Sequence, residues 1–323
     1  MTRADQISQF LIKTGWDKAA QTPMAGDAST RRYVRLTLGD RSAILMDVDP
    51  RHAGPIGPFI TIAKALRAEG LSAPRIYAVD DPAGLAVIED LGDALYAKVI
   101  TEDPSREAPL YTAAIDALWH LHGAKPKLDL PRATPDQLAA MLDPFFTDYP
   151  PHSGQAIENK TQTAIAQTML DLLRRYCDDQ SVVILRDFHA ENLLWLPDRS
   201  GVARVGLLDF QDALWGHPVY DIISLTQDAR RDVSGGIEQD MLAHYATLSG
   251  RDLSDLARSA AILGVQRNLR ILGIFARLAQ QRGKPGYLAL IPRVLGYLQQ
   301  GLSHPDLVHL AEHLRPLLKG NKI

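Results

Sequence analysis

Two short segments of the 323-residue chain hold residues whose types and spacing suit chemistry. In Leu185-Arg186-Asp187-Phe188-His189-Ala190-Glu191-Asn192 an aspartate and an asparagine stand five positions apart, and in Leu208-Asp209-Phe210-Gln211-Asp212 a second aspartate ends an apolar run. Moving a phosphoryl group onto a hydroxyl needs one carboxylate to orient the nucleophile and accept its proton. It also needs hard oxygen donors that hold magnesium across nucleotide phosphates. Asp187 suits the first task. Asn192 and Asp209 suit the second, because an amide and a carboxylate offer oxygen without the soft donors that favour zinc. Either aspartate or the asparagine alone is as readily a turn or helix-cap residue, so the weight lies in the combination. Each segment directly follows a strand-like run, 182–185 and 204–208, so the three side chains can converge.

The elements that must position them fall into two parts. From residue 21 to 48, short apolar runs are separated by turn residues at 26–29 and 39–42, which predicts two hairpins joining three strands. Tyr33, Arg35 and Thr37 alternate with Val34, Leu36 and Leu38, and Ala43-Ile44-Leu45-Met46 predicts a buried strand. Phe59, Ile62, Ala63 and Leu66 share one helical face that Gly70 terminates, and further strands are expected around 74–78 and at 85–88. The polar connection Glu89-Asp90-Leu91-Gly92 ends this part. Helical stretches then dominate, at 111–122, 161–177, 237–248, 253–281, 286–300 and 305–319, with proline-rich surface loops expected at 129–136 and 149–153. The expectation is an α+β chain: a small, mainly antiparallel part with one main helix over 1–92, and a larger, mainly helical part over 93–323.

Composition narrows the function classes. Hydrophobic residues make up 46% and charged residues 23%, enough apolar content for packed cores. Lys and Arg number 35 against 38 Asp and Glu, a net charge of -3 that removes the bulk electrostatic argument for nucleic acid or an anionic membrane. Cys177 is the only cysteine, so no intramolecular disulfide forms, and no Cys/His cluster has zinc spacing. The opening residues lack a basic segment followed by an apolar run, and charges cut every apolar stretch before about 18 residues. A cytoplasmic setting with a small-molecule acceptor and no protein, nucleic-acid or membrane partner is expected.

Gly26-Asp27-Ala28-Ser29-Thr30-Arg31-Arg32-Tyr33, Ile88-Glu89-Asp90-Leu91-Gly92, residues 187–192, Asp209-Phe210-Gln211-Asp212 and Gly216-His217-Pro218-Val219-Tyr220-Asp221 together resemble the aminoglycoside phosphotransferase family. The first motif, the stretch 266–278 and Gly283-Lys284-Pro285-Gly286-Tyr287-Leu288 resemble the branch containing bacterial anomeric kinases of N-acetylmuramate and N-acetylglucosamine. The resemblance implies a two-lobed protein-kinase-like fold with ATP and magnesium in the cleft. It implies that Gly26, Asp27, Ala28, Ser29 and Thr30 cover the phosphates, that the backbone of Glu89 and Leu91 reads adenine, and that Asp221 positions the catalytic loop. A glycine with small side chains lets backbone N–H groups approach phosphate closely.

Two departures stand out. The third strand, Ala43-Ile44-Leu45-Met46-Asp47, lacks the lysine that such kinases place there, and the following helix lacks an internal glutamate. Arg32, Arg35 and Lys64 are the candidates to supply the charge, with Arg32 assigned to the nucleotide. Leu185 stands where the family often has histidine. His189 is expected to be structural. Gln211, Asp212, His217, Arg267 and Asn268 are the candidate substrate-side residues; Trp195 and Trp215 have the faces to stack on a sugar. Two rival readings are an aminoglycoside or amino-alcohol kinase, for which Asp143, Asp148 and Glu158 are acidic candidates, and a non-catalytic nucleotide-binding regulator.

Overall fold

The computed structural model of the chain describes residues 2–24, 31–51, 54–150, 154 and 156–318. Helix α1 (Arg3–Thr14) leads into β1 (Ala20–Pro23), β2 (Arg32–Leu38) and β3 (Arg41–Asp47); α2 (Gly57–Ala68) follows, then β4 (Ile76–Asp80) and β5 (Leu85–Ile88). The five strands pair antiparallel in the order β1-β2-β3-β5-β4.

Both faces of this sheet are covered, and so β3 and β5 are continuous apolar runs rather than alternating ones. Leu45, Leu85 and Val87 turn toward Phe10, Leu11 and Trp16 of the N-terminal segment. Ile44, Met46, Ala86 and Ile88, one position out of phase, join the main core under α2. The buried stripe of α2 is the expected one, Phe59, Ile62, Ala63 and Leu66, and Gly70 takes φ +78° just beyond it.

Past Ile88 the chain is mainly helical, with α3 (Tyr96–Glu102), α4 (Glu107–Ala124), α5 (Pro135–Ala140), α6 (Asp143–Thr147) and α7 (Asn159–Tyr176). Four short strands follow, β6 (Val182–Ile184), β7 (Leu193–Trp195), β8 (Val205–Leu207) and β9 (Leu214–Gly216), pairing as β6-β9 and β7-β8. Then come α8 (Val219–Thr226), α9 (Ile237–Ser249), α10 (Leu253–Gln281), α11 (Ile291–Gly301) and α12 (Val308–Leu318). The two β-ribbons hold the chemistry-bearing loops: β6-β7 spans Asp187 to Asn192, and β8-β9 spans Asp209 to Asp212.

Some expectations need correction. The single helix expected at 286–300 is a 3-10 turn, Pro285–Leu290, followed by α11, because Pro292 occupies a first-turn position where its missing N–H costs nothing. Pro135 opens α5 in the same way, capped by the Thr134 hydroxyl, so 129–136 is not loop throughout. Tyr149, expected on a surface loop, is buried and stacked on Phe145 at 5.5 Å; residues 151–153 lie outside the described residues. Strands β7 and β9 have three residues each, too few for alternation to register in sequence.

Candidate active site

The loop after β6 has a shape that regular structure cannot supply. Arg186 lies at φ +70° and Asp209 at φ +55°, left-handed conformations that cost a non-glycine residue about 1–3 kcal/mol each. Asp221, in the first turn of α8 and fully buried, accepts hydrogen bonds from the N–H groups of Leu185 (2.5 Å) and Arg186 (2.8 Å). The Ser224 hydroxyl, one turn on, donates to the Arg186 carbonyl at 2.8 Å, and Arg267 from α10 donates to that hydroxyl at 3.0 Å. Arg186 is thus gripped at both its N–H and its carbonyl, and the next residue, Asp187, is presented to the cleft.

Within the loop the Asp187 carbonyl accepts from the His189 N–H (3.2 Å) and from Asn192 Nδ2 (2.9 Å). Because the amide nitrogen of Asn192 is spent this way, its Oδ1 remains as the atom that can serve as a ligand. The Asn192 carbonyl accepts from the Leu208 N–H at 2.9 Å, which sets the residue before Asp209 against the first loop. Phe210, buried, stacks on Phe59 of α2 with ring centroids 5.1 Å apart, so the helix of the small lobe braces Asp209 from the other side.

Asp209 Oδ1 accepts from Gln211 Nε2 at 2.8 Å and lies 3.4 Å from Arg31 Nη1. Burial raises its carboxyl above the ordinary range, the Gln211 bond opposes this, and the nearby charge of Asp187 adds to the rise. Two carboxylates sharing a partly desolvated cleft favour a bound cation. Burial, reinforced by Arg230 and Arg267, holds His189 well below its usual pKa and therefore neutral. The described geometry accords with a structural role for that histidine, beside Asn192 Nδ2 at 3.2 Å.

A cleft of about 950 Å³ separates the sheet from the helical body, with Asp187, Asn192 and Asp209 all on its wall. Ile44 is the β3 residue that lines it, so an apolar side chain faces the cleft from the strand that lacks lysine. Glu89 and Leu91 line its edge. The Glu89 N–H donates to the Arg75 carbonyl, and its carboxylate joins Arg199 (2.7 Å), Arg67 (3.3 Å) and the Arg75 N–H (3.0 Å), tying the sheet to the segment after β7. Among the described residues no backbone partner occupies the Glu89 carbonyl or the Leu91 N–H.

Other expected site residues lie elsewhere. Residues 26–30 are outside the described residues. Arg32 is exposed and off the cleft, as is Lys64, and Arg35 is spent on Asp90 (2.8 Å) and Asp93 (2.8 Å). Of the substrate-side set only Arg267 reaches the wall. Gln211 braces Asp209, and Asp212 is exposed outside the cleft. His217 is buried, its Nδ1 accepting from the Val219 N–H, and Asn268 is buried against Gln227 at 2.8 Å. Neither tryptophan lines this cleft: Trp195 lies between Arg106 and Arg204, and Trp215 donates to the Leu128 carbonyl. Five cations line the cleft that were not among the expected site residues: Arg31, Lys98, Arg186, Arg230 and Arg270. Arg31 has the strand parity of Tyr33, and Arg270 shares the helical stripe of Arg267, Ile271 and Ile274, so periodicity groups each with a lining residue without selecting it.

The antiparallel sheet, helical body and two braced loops across a cleft are the architecture of protein-kinase-like phosphotransferases. The choline kinase LicA of Streptococcus pneumoniae shares the fold with a TM-score of 0.63 at 15% identity, covering 92% of this chain and 99% of that one. Spectinomycin phosphotransferase shares it at 0.58 and 12%, covering 95% and 97%. Residues 20–260 match the model of the phosphotransferase enzyme family, and the chain belongs to that family. It is an ATP-dependent phosphotransferase. Among its relatives, an N-acetylmuramate/N-acetylglucosamine kinase of Caulobacter vibrioides is 39% identical over 93% of each chain. One of Pseudomonas aeruginosa is 32% identical over 97% of this chain and 94% of the other. No helix among the described residues is long and apolar enough to cross a membrane.

Proposed function

We propose that the protein transfers the γ-phosphoryl group of ATP to the anomeric hydroxyl of N-acetylmuramate or N-acetylglucosamine, with magnesium, in cytoplasmic recycling of cell-wall sugars. The observation that carries the reading is that Asp187 shares its cleft with two groups of unlike chemistry, oxygen donors and arginines. Asp187 lines one cleft with Asn192 and Asp209 and with Arg186, Arg267 and Arg270, and its charge acts on both Asp209 and Arg270. The 39% identity to a kinase of these sugars supports the choice of acceptor.

Asp187 orients the sugar hydroxyl and takes its proton as the new O–P bond forms and the bond from the γ-phosphorus to the ADP oxygen breaks. Asn192 Oδ1 and the Asp209 carboxylate are the donors that suit magnesium, which when bound neutralises charge on the phosphate oxygens. No group of three or more His, Cys, Asp or Glu side chains is set for a metal among the described residues. A cation with few protein ligands fits magnesium, which keeps waters and takes substrate phosphates. Arg31, beside Asp209, supplies phosphate-side charge in place of the missing strand lysine, and the Glu89 carbonyl and Leu91 N–H, without backbone partners among the described residues, suit adenine. The rest of the assigned chemistry is positioning, which the braced loops supply.

An aminoglycoside is a polycation, and the cleft lining includes Arg186, Arg267 and Arg270, which oppose such a ligand. Asp148, a candidate acid for such a ligand, is instead paired with Arg277 at 2.7 Å. Phosphorus NMR of the protein with ATP, magnesium and a panel of N-acetylated sugars and aminoglycosides tests the reading. A sugar 1-phosphate signal is expected; phosphorylation of an aminoglycoside alone, or tight ATP binding with no phosphoester, would overturn it.

A further inference from the structure

Arg270 is a cleft-lining arginine set apart from its neighbours by the lack of a bonding partner among the described residues. It stands one turn after Arg267 on α10, half-buried, and lines the cleft. Among the described residues it has no hydrogen-bond or ion-pair partner. Its neighbours differ in this respect. Arg267 donates to Ser224 Oγ and, at 3.4 Å, to the Gln227 carbonyl; Arg230 pairs with Glu191 at 3.0 Å. Arg186 reaches the Asp212 carbonyl at 3.5 Å.

A guanidinium held partly out of water among like charges is costly unless an anion joins it. Burial lowers the Arg270 pKa, Tyr220 and Asp187 oppose this, and Arg186 and Arg267 add to the lowering. Asp187 thus influences Arg270 electrostatically without bonding to it. Beyond Arg270 the stripe becomes apolar, with Ile271, Ile274 and Leu278, a wall that suits a methyl group and the face of a pyranose. A cation followed by an apolar strip matches the one feature that separates the two proposed acceptors. N-acetylmuramate carries a lactyl ether, a carboxylate beside a methyl group, where N-acetylglucosamine has a hydroxyl.

We propose that Arg270 binds the lactyl carboxylate of N-acetylmuramate and so sets the preference between the two acceptors. The assignment rests on the sugar-kinase reading above. A planar guanidinium donates two parallel hydrogen bonds to a carboxylate, and a site built for such a group rejects the analogue that lacks it.

The test compares kcat/KM for the two sugars in the unsubstituted protein, Arg270→Gln and Arg270→Lys. The ratio of muramate to glucosamine should fall about tenfold or more in Arg270→Gln and recover in part in Arg270→Lys. A ligand-side change guards against misfolding. Converting the lactyl carboxylate to its neutral amide should lower kcat/KM about tenfold with the unsubstituted protein and cause little further loss in Arg270→Gln. An unchanged ratio, or equal losses on both sugars with a raised KM for ATP, overturns the assignment while leaving the sugar-kinase reading in place. Failure of the unsubstituted protein to phosphorylate either sugar overturns both.

Discussion

The carboxylate of Asp221 stands 2.8 Å from the N–H of Arg186, 35 residues earlier, and holds that residue at φ +70° immediately before Asp187. The bond lies in a fully buried site, where desolvation raises the Asp221 carboxyl to about 7 although the N–H donors of Leu185 and Arg186 favour its charged form. The orientation of the assigned base therefore depends on a titratable group that touches none of the cleft.

Asp221→Asn keeps the size of the side chain but turns one acceptor toward a backbone N–H as a donor. A loss of about 1–3 kcal/mol of stability is expected, with a fall in kcat larger than the rise in either KM. The native chain holds the Asp221 proton more tightly than the unfolded chain, so this contribution is fully present below about pH 4 and lost as pH rises through about 7. The slope is at most about 1.4 kcal/mol per pH unit. In urea unfolding the stability gap between the protein and Asp221→Asn should narrow from pH 5 to pH 8; a gap that widens would contradict the linkage.

Asp187→Asn removes the proton acceptor and leaves unchanged the loop bonds that Asp187 makes, which use its carbonyl and N–H. Turnover should fall by about a hundredfold or more while the affinity for ATP, followed by calorimetry, changes little. Comparable losses in both would assign the residue to nucleotide binding instead.

Arg31→Gln should lower kcat/KM for ATP by about tenfold, because the cleft-facing residue of β3 is Ile44 and Arg31 is the cation beside Asp209. Arg32→Gln, at an exposed position off the cleft, should have the smaller effect. Steady-state titration of ATP on the two variants decides between Arg32, the residue the sequence favoured, and Arg31, which lines the cleft.

Gly273 lies where α10 passes against α6. A Cβ built there would sit 2.1 Å from the Pro144 carbonyl carbon and 2.5 Å from the Phe145 nitrogen, both backbone atoms that cannot swing aside. Gly273→Ala should cost about 3 kcal/mol or more, read as a lowered thermal midpoint. Because Arg270 and Ile274 flank this crossing on the same helix, muramate turnover should fall with it.

Much of this molecule is local in origin and so is visible in one sequence. The alternation at 33–38, the continuous apolar runs at 43–46 and 85–88, the stripe of Phe59, Ile62, Ala63 and Leu66, and the helix 253–281 are set by short-range spacing. The roles proposed for Asp187, Asn192 and Asp209 rest on residue type and on the strands before them. Tertiary structure decided which cations face the cleft, since Arg31, Arg32 and Arg35 are alike in type and differ only in the side of β2 they occupy and the acids they meet. It also decided that His217 and Asn268 are buried braces and that Arg270 is left uncommitted. Those outcomes depend on contacts between residues tens of positions apart, such as Arg267 with Ser224 and Asn268 with Gln227, and no local periodicity encodes a contact of that range.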